Sequence, residues 1–472
     1  MNDRRRFLKQ LAYGAAASTI PINCFDRLAA SPGGSIKKQP NIIFILADDL
    51  GYGNLGSYGQ KLIKTPHLDQ LAQEGTRFTQ CYAGSPICAP SRNVLMTGQH
   101  LGHTRLRGNH AKIGGIGPEG RVAIELGNIT VSEVLKKAGY VTGVSGKWGL
   151  GEPQTTGIPT KQGFDEWLGY LNQDHAREHF PEFLWQNDDI LYMENNKGLN
   201  KKTYSQDVFT DFAMNFIRRH KDTPFFLYLP LTIPHGPHDK LSIPNTDPYS
   251  NRPWKIKEKI FAAMISYMDA DVGRILSLLQ ELKLDEDTIV FFSSDNGGLK
   301  TFDKRFDNNG PLRGHKGDLL EGGIRVPMIV KWKNRVKEGK VSNAVWYFAD
   351  FLPTAAELAG ISPPSDIDGI SMLPLLLGKS PNDPDRFLYW ENHWKVDQVF
   401  QERGFQQAVR WKNWKAFSQA PDAPLELYDL SKDLSENYNL SSQYPKVVRI
   451  IENYLKTARN NSLNWPLHGS DR

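Results

Sequence analysis

Cysteine is scarce: Cys24, Cys81 and Cys88 are the only three in 472 residues. So few thiols cannot build a disulfide framework, and the fold must rest on a hydrophobic core, for which this length is ample. A Cys81–Cys88 bond is the one pairing left open for the mature chain. Long apolar runs are missing too. The run Leu11–Ile22 is too short to span a bilayer as a stable helix, and no later stretch is long enough. No strong excess of one charge exists: 57 basic against 52 acidic residues leave a net +5. That balance, without a dense basic stripe, excludes a nucleic-acid binder and is compatible with a polyanionic substrate. Internal repeats and low-complexity tracts are absent from the mature chain.

What is present begins with an export signal over residues 1–30. Arg4-Arg5-Arg6-Phe7-Leu8-Lys9 resembles a twin-arginine motif, the Ala-rich run Leu11–Ile22 follows, and cleavage fits near Ala29-Ala30. A lipid anchor at Cys24 is a weaker alternative, because Ile22-Asn23 is a poor lead-in. The expected location is the periplasm or the cell exterior.

The mature chain alternates strand and helix. Continuous apolar runs at Asn41–Ala47, Tyr140–Ser145, Phe225–Leu231, Thr288–Ser294 and Met328–Trp332 read as strands buried on both faces. Between them, Thr130-Val131-Ser132-Glu133 reads as a capping box, and Lys257–Leu282 carries apolar residues at helical spacing. The fold class is therefore α/β: a large, mostly parallel or mixed sheet flanked by helices, over residues 38–345. Residues 346–472 read as a smaller C-terminal α+β subdomain. Its helix is Phe348–Leu358, and its short antiparallel sheet comes from Arg386–Trp390, Gln406–Trp411, Trp414–Phe417 and Glu426–Leu430.

Polar groups follow four of the strands: Asp48-Asp49, Gly146-Lys147, Pro234-His235 and Asp295-Asn296-Gly297-Gly298. Ligands of open α/β sheets bind outside the carboxyl ends of strands, so these segments converge on one edge. Any one of them could be an ordinary surface loop; four together are not explained that way. Asp48, Asp49, Asp295 and Asn296 are hard oxygen ligands that point to Ca²⁺, ahead of Mg²⁺. Carboxylates gathered at a strand edge also need a compensating cation.

Cys88-Ala89-Pro90-Ser91-Arg92, shortly before Thr97-Gly98, resembles the modification sequence of type I sulfatases, in which the cysteine becomes formylglycine. With the segments above, and with Leu312-Arg313-Gly314-His315-Lys316-Gly317 followed by Glu321-Gly322-Gly323-Ile324-Arg325-Val326-Pro327, the chain from Pro40 onward resembles a formylglycine-dependent sulfatase of the alkaline phosphatase superfamily. The resemblance implies that Asp48, Asp49, Asp295, Asn296 and modified Cys88 hold Ca²⁺ and that Arg92 steadies the site. It implies that Lys147, His235 and Lys316 bind sulfate and serve the leaving group. The hydrated aldehyde would attack sulfur, and its second hydroxyl would then expel sulfate, which a serine could not do. It further implies a formylglycine-generating enzyme as partner during maturation. Pro90 and Ser91 fit the start of a short helix whose N-terminus favours negative charge at position 88.

One position departs from the family. Many relatives have Gly-Lys-Trp-His-Leu-Gly where this chain has Gly146-Lys147-Trp148-Gly149-Leu150-Gly151, which leaves the base of the elimination step unassigned. The loop Gly169–His179 resembles a segment of bacterial sulfatases acting on galactose- or N-acetylgalactosamine-type sugar sulfates. On it His175, Arg177 and His179 are candidate sugar contacts, together with Asn109, Glu391 and His393; Trp390 and Trp394 are candidate stacking faces. The expected substrate is a sulfated oligo- or polysaccharide. Two alternatives stay open: a phosphoester or phosphonate hydrolase on the same scaffold, and a non-catalytic, Ca²⁺-dependent glycan-binding relative.

Overall fold

A computed structural model describes residues 38–198, 200–239, 242–379, 385–393 and 405–467. The expected signal segment, Cys24 and Trp394 lie outside them.

Ten strands form one sheet: β1 (Asn41–Ala47), β2 (Thr76–Tyr82), β3 (Val141–Lys147), β4 (Glu166–Tyr170), β5 (Phe183–Gln186), β6 (Asp189–Tyr192), β7 (Phe225–Pro230), β8 (Thr288–Ser294), β9 (Arg325–Lys331) and β10 (Lys340–Tyr347). Their order is β10-β2-β9-β8-β1-β7-β3-β4-β5-β6. The central run β8-β1-β7-β3-β4 is parallel. β9 runs antiparallel to both β8 and β2, and β5 and β6 extend the other edge antiparallel, so the sheet is mixed. All seven residues of β1 are buried, as its apolar sequence demands.

Successive side chains of β1 point to opposite faces. Ile43 and Ile45 join a core shared with helices Pro66–Gln73, Ser205–Arg219 and Ile256–Glu281. Phe44 faces the other way, with ring centroids 4.6 Å from Phe351 and 5.8 Å from Phe291. The helix Phe351–Leu358 thus covers the large sheet, and it also packs on helices Cys88–Thr97 and Val131–Lys137. The capping box holds: Thr130 Oγ1 accepts the Glu133 N–H, and a Glu133 carboxylate oxygen accepts the Thr130 N–H.

A second, four-stranded antiparallel sheet runs in the order β11 (Phe387–Asn392), β12 (Gln406–Trp411), β13 (Trp414–Ser418) and β14 (Glu426–Asp429). A buried charge cluster joins it to the first. Lys415 of β13 lies 3.1 Å from Glu321 and 2.9 Å from Glu436, and Glu321 also meets Tyr82 and Arg325. Trp390 of β11 donates its indole N–H to the carbonyl of Ala83 at 2.8 Å, which brings this strand beside the segment leading to Cys88.

Five strands were missed in the sequence: β4, a largely buried strand beside β3 that takes in Gly169 and Tyr170 of the expected loop, and four that are polar or short. β2 (TRFTQCY) and β10 (KVSNAVWY) mix buried and partly exposed positions near one edge, and β5 and β6 are short edge strands. β9 also begins three residues earlier than its apolar run, at Arg325. That guanidinium is buried because Glu321 and the carbonyl of Thr79 accept its protons.

Candidate active site

Because β8, β1, β7 and β3 are parallel neighbours, their carboxyl ends open on the same side. Lys147 is the last residue of β3; Asp48 and Asp49 follow β1; Asp295 and Asn296 follow β8; His235 lies five residues past β7. Asp49 has φ +69°, a left-handed conformation that costs a non-glycine residue about 1–3 kcal/mol. It places the Asp49 N–H 3.1 Å from Asp295 Oδ1. Gly297 follows Asn296 because a Cβ there would lie 1.8 Å from the carbonyl oxygen of Gly322; the two glycine-rich segments meet backbone to backbone.

Cys88 opens the buried helix Cys88–Thr97, and its thiol donates to Asp48 Oδ1 at 3.5 Å. One turn on, Arg92 donates to Asp295 Oδ2 through Nε (3.1 Å) and Nη2 (2.8 Å), and to the carbonyl of Lys147 at 2.5 Å. Lys147 Nζ lies 2.7 Å from Asp48 Oδ2, and Lys316 Nζ lies 2.7 Å from Asp49 Oδ1. His235 Nδ1 donates to the carbonyl of Gly236 at 2.6 Å, which turns Nε2 towards Asp49 Oδ2 at 3.7 Å. Cys88, Arg92, Lys147, His235, Lys316 and the four expected cation ligands therefore form one cluster.

Three carboxylates, Asp48, Asp49 and Asp295, face three permanent cations, Arg92, Lys147 and Lys316. Burial alone would raise the Asp48 pKa, but Lys147, His235, Arg92 and Lys316 hold it far below the usual carboxylate range. Asp295 is pushed up to about 6 by burial and by Asp48. Burial and then Asp48 push the Cys88 thiol up to about 12. An unmodified thiol here stays protonated, the reverse of a catalytic cysteine. Burial, then Lys316, lowers His235 to about 4.

The donor set fits a hard cation. Ligand atoms of Asp48, Asp49, Cys88 and Asp295 all lie within 4.8 Å of one another. Asn296 donates through Nδ2 to Asp49 Oδ1 at 2.9 Å, while its buried Oδ1 has no hydrogen-bond partner. An orphaned carbonyl oxygen among three carboxylates suits Ca²⁺ or Mg²⁺ and disfavours a soft metal. A second cluster, His100, His103 and Asp368, also brings ligand atoms together. There His100 Nδ1 accepts the Gly102 N–H at 3.1 Å, so in the neutral ring Nε2 carries the proton and is not free to ligate.

The expected sugar contacts are placed differently. Asn109 Oδ1 accepts the Ala89 N–H at 3.0 Å, satisfying a first-turn donor of the Cys88 helix. His179 is buried and donates through Nε2 to the carbonyl of His235 at 3.2 Å. The ring of His175 sits between Tyr170 and Phe183, with centroids at 4.8 and 4.3 Å. Glu391 and His393 meet each other at 2.9 Å, and two arginines share the fully buried Glu391 carboxylate. Glu391 and His393 are built into the protein, their polar atoms matched to each other and to the two arginines, whereas His175 Nε2 and His179 Nδ1 are buried without a hydrogen-bond partner. Arg177 alone of the six is exposed.

Three features were missed. Gln173 fills the space over Gly149: a Cβ at 149 would lie 2.5 Å from Gln173 Nε2, and Gly149 has φ +79°. Gln173 also donates to the Gly149 carbonyl at 2.9 Å. Asn392 donates to the Gly317 carbonyl at 2.8 Å, beside Lys316, and its Oδ1 is buried without a partner. Arg107 and Arg459 converge on Glu391. The tripeptide Arg107-Gly108-Asn109 was a signal read for Asn109 alone; Arg459 carries no local signal. Cys81 is a free, buried residue of β2, so no Cys81–Cys88 bond forms.

The profile of the Sulfatase family matches residues 40–361, and that of N-sulphoglucosamine sulphohydrolase, C-terminal, matches residues 300–461. The N-acetylgalactosamine-6-sulfatase of Canis lupus familiaris is 36% identical over 380 residues, 75% of this chain and 69% of that protein. Arylsulfatase A of Homo sapiens is 34% identical over 466 residues, covering 88% of this chain and 85% of the relative. Among solved structures, Ps i-CgsB in complex with k-i-k-neocarrahexaose superposes with a TM-score of 0.75 at 28% identity, covering 92% of this chain and 96% of that one. The first of these matches spans every strand that carries a site residue, from β1 to β9, and on it the chain belongs to the sulfatase family.

Proposed function

We propose that this protein hydrolyses sulfate esters of a galactose- or N-acetylgalactosamine-type glycan, with Cys88 acting after conversion to formylglycine. The observation that carries the reading is the convergence on Cys88 of three carboxylates, two lysines, an arginine and a histidine from four adjacent strand ends, one helix and one further loop. The names of the relatives support the choice of sugar.

Asp48, Asp49, Asp295 and Asn296 Oδ1 would hold Ca²⁺, which, when bound, stabilises negative charge on the sulfate oxygens. Formylglycine at position 88 supplies a hydrated aldehyde as nucleophile. Arg92 fixes Asp295 and the end of β3 relative to the helix carrying residue 88. Lys147 and Lys316 bring two ammonium groups to the same carboxylate floor, where they gather the non-bridging oxygens of the substrate. His235 has Nδ1 committed to Gly236, so Nε2 is its nitrogen for proton transfer. In the neutral ring that nitrogen is an acceptor, so Lys316 is the donor available to the departing sugar oxygen. Arg177, exposed on the loop after β4, is the candidate contact for a sugar carboxylate, sulfate or hydroxyl.

Cys88 is 1% exposed. A modifying enzyme needs an open segment, so conversion precedes folding, and the folded protein is exported afterwards by the twin-arginine-type signal. Among the described residues, no helix is long and apolar enough to cross a membrane.

The test is sulfate release from sulfated galactose, N-acetylgalactosamine, glucosamine and fucose oligosaccharides. Wild type and Cys88→Ala, both co-expressed with a formylglycine-generating enzyme, are compared in Ca²⁺. Release by wild type alone from a galactose or N-acetylgalactosamine sulfate is expected. Release by both proteins, or by neither when mass spectrometry shows Cys88 converted, refutes the reading.

A further inference from the structure

The loop after the Cys88 helix is held by the far end of the chain. Asn109 accepts the Ala89 N–H, as described above. Two residues earlier, Arg107 donates to the carbonyls of Thr104 (2.9 Å), Gly102 (2.9 Å) and Asn460 (3.0 Å), and meets Glu391 Oε1 at 3.4 Å. Glu391 also accepts from Tyr389 (2.8 Å), His393 (2.9 Å) and Arg459 Nε (2.8 Å). Arg459 donates onward to the carbonyl of Trp465.

Past Asn109, the Asn464 carbonyl accepts the N–H groups of Lys112 (2.9 Å) and Ile113 (3.2 Å). The Trp465 indole donates to the carbonyl of His110 at 3.3 Å, and its Nε1 lies 2.9 Å from where a Cβ at Gly108 would be. The C-terminal segment therefore grips the loop on both sides of Asn109, and Glu391 ties that segment to Arg107.

We propose that Glu391 is a positioning residue for the sulfatase reaction: by holding Arg107 and Arg459 together it keeps Asn109 on the first turn of the helix that begins with Cys88. The proposal rests on the reading of Cys88 as the reacting residue. Two buried guanidinium groups share this one carboxylate. Without it they repel each other, and an uncompensated buried charge is costly. Glutamine at 391 keeps the shape and removes the charge that holds them together.

The experiment measures kcat and KM for sulfate release by the full-length, converted protein as wild type, Glu391→Gln, Asn109→Ala and the double variant. Conversion of Cys88 is checked by mass spectrometry and folding by circular dichroism. Each single variant is expected to lower kcat by about tenfold or more, with KM changed less than about threefold. The double variant should be no slower than the slower single, because both act through one contact. Effects that multiply, or a Glu391→Gln protein with wild-type kcat, overturn the proposal. If Glu391→Gln does not fold, Arg459→Lys replaces it: the same loss of kcat and the same non-additivity with Asn109→Ala are expected, and multiplication again overturns the idea. Converted wild type that releases no sulfate overturns the functional reading and this inference with it; active wild type with multiplying variants overturns this inference alone.

Discussion

Lys147→Met should tighten cation binding while abolishing activity. The Lys147 ammonium lies 2.7 Å from Asp48 Oδ2, and both side chains are 1% exposed. At an effective dielectric of about 20, that separation gives a gross attraction of about 6 kcal/mol. A dication that uses Asp48 must compete with the ammonium for the same carboxylate. If about a quarter of the attraction is given up on binding, removing the ammonium strengthens Ca²⁺ binding by about 1.5 kcal/mol, or about tenfold. Methionine preserves most of the volume, so the change is chiefly one of charge. Without Ca²⁺ the variant should lose about 3–5 kcal/mol of stability, because Asp48 keeps its burial and loses its nearest cation. Ca²⁺ should restore much of that loss, raising the melting temperature of the variant more than that of wild type. Titration calorimetry gives the affinity, a calcium-dependent thermal melt gives the stability, and sulfate release gives the activity. Folded Lys147→Met that binds Ca²⁺ no better than wild type would refute the charge-competition argument.

Folded, unconverted protein should resist a formylglycine-generating enzyme in vitro, whereas a peptide spanning residues 81–98 should be converted; mass spectrometry that finds both converted equally would count against conversion before folding. Burial alone would raise the Glu391 pKa, but His393, Arg107 and Arg459 bring it down to about 2 from the ordinary 4.5. A depressed carboxylate stabilises the fold above its unfolded pKa, so about 3 kcal/mol is present above pH 4.5 and is lost as pH falls towards 2. The stability gap between wild type and Glu391→Gln, followed by urea titration, should therefore shrink steadily below pH 4.5; a gap independent of pH would contradict this. Gly149→Ala should cost about 1–2 kcal/mol, from its positive φ and from displacement of Gln173. Trimming Gln173 to alanine in the same chain should recover the steric part, and no recovery in a thermal melt would show that Gln173 is not the obstacle.

The sequence by itself determined four of the five central parallel strands, β1, β3, β7 and β8, and the positions that follow them. Ile42–Ala47 and Ile289–Phe292 are apolar throughout because both faces of those strands are covered, and such runs need no tertiary information to recognise. The adjacent Asp48, Asp49, Asp295 and Asn296 were legible for a related reason: clustered hard ligands at strand ends have few structural uses. The tertiary structure alone decided where β2 and β10 lie, since their polar residues are tolerated only near an edge, and it alone showed that Gln173 fills the space above Gly149. It also separated the residues that face the site from those that hold it together. Asn109, Glu391 and His393 carry the same side chains as sugar contacts, and chemistry type cannot tell a ligand contact from a brace. Only burial and partner geometry can, because a polar atom whose hydrogen bonds are filled by distant parts of the chain has none left for a substrate.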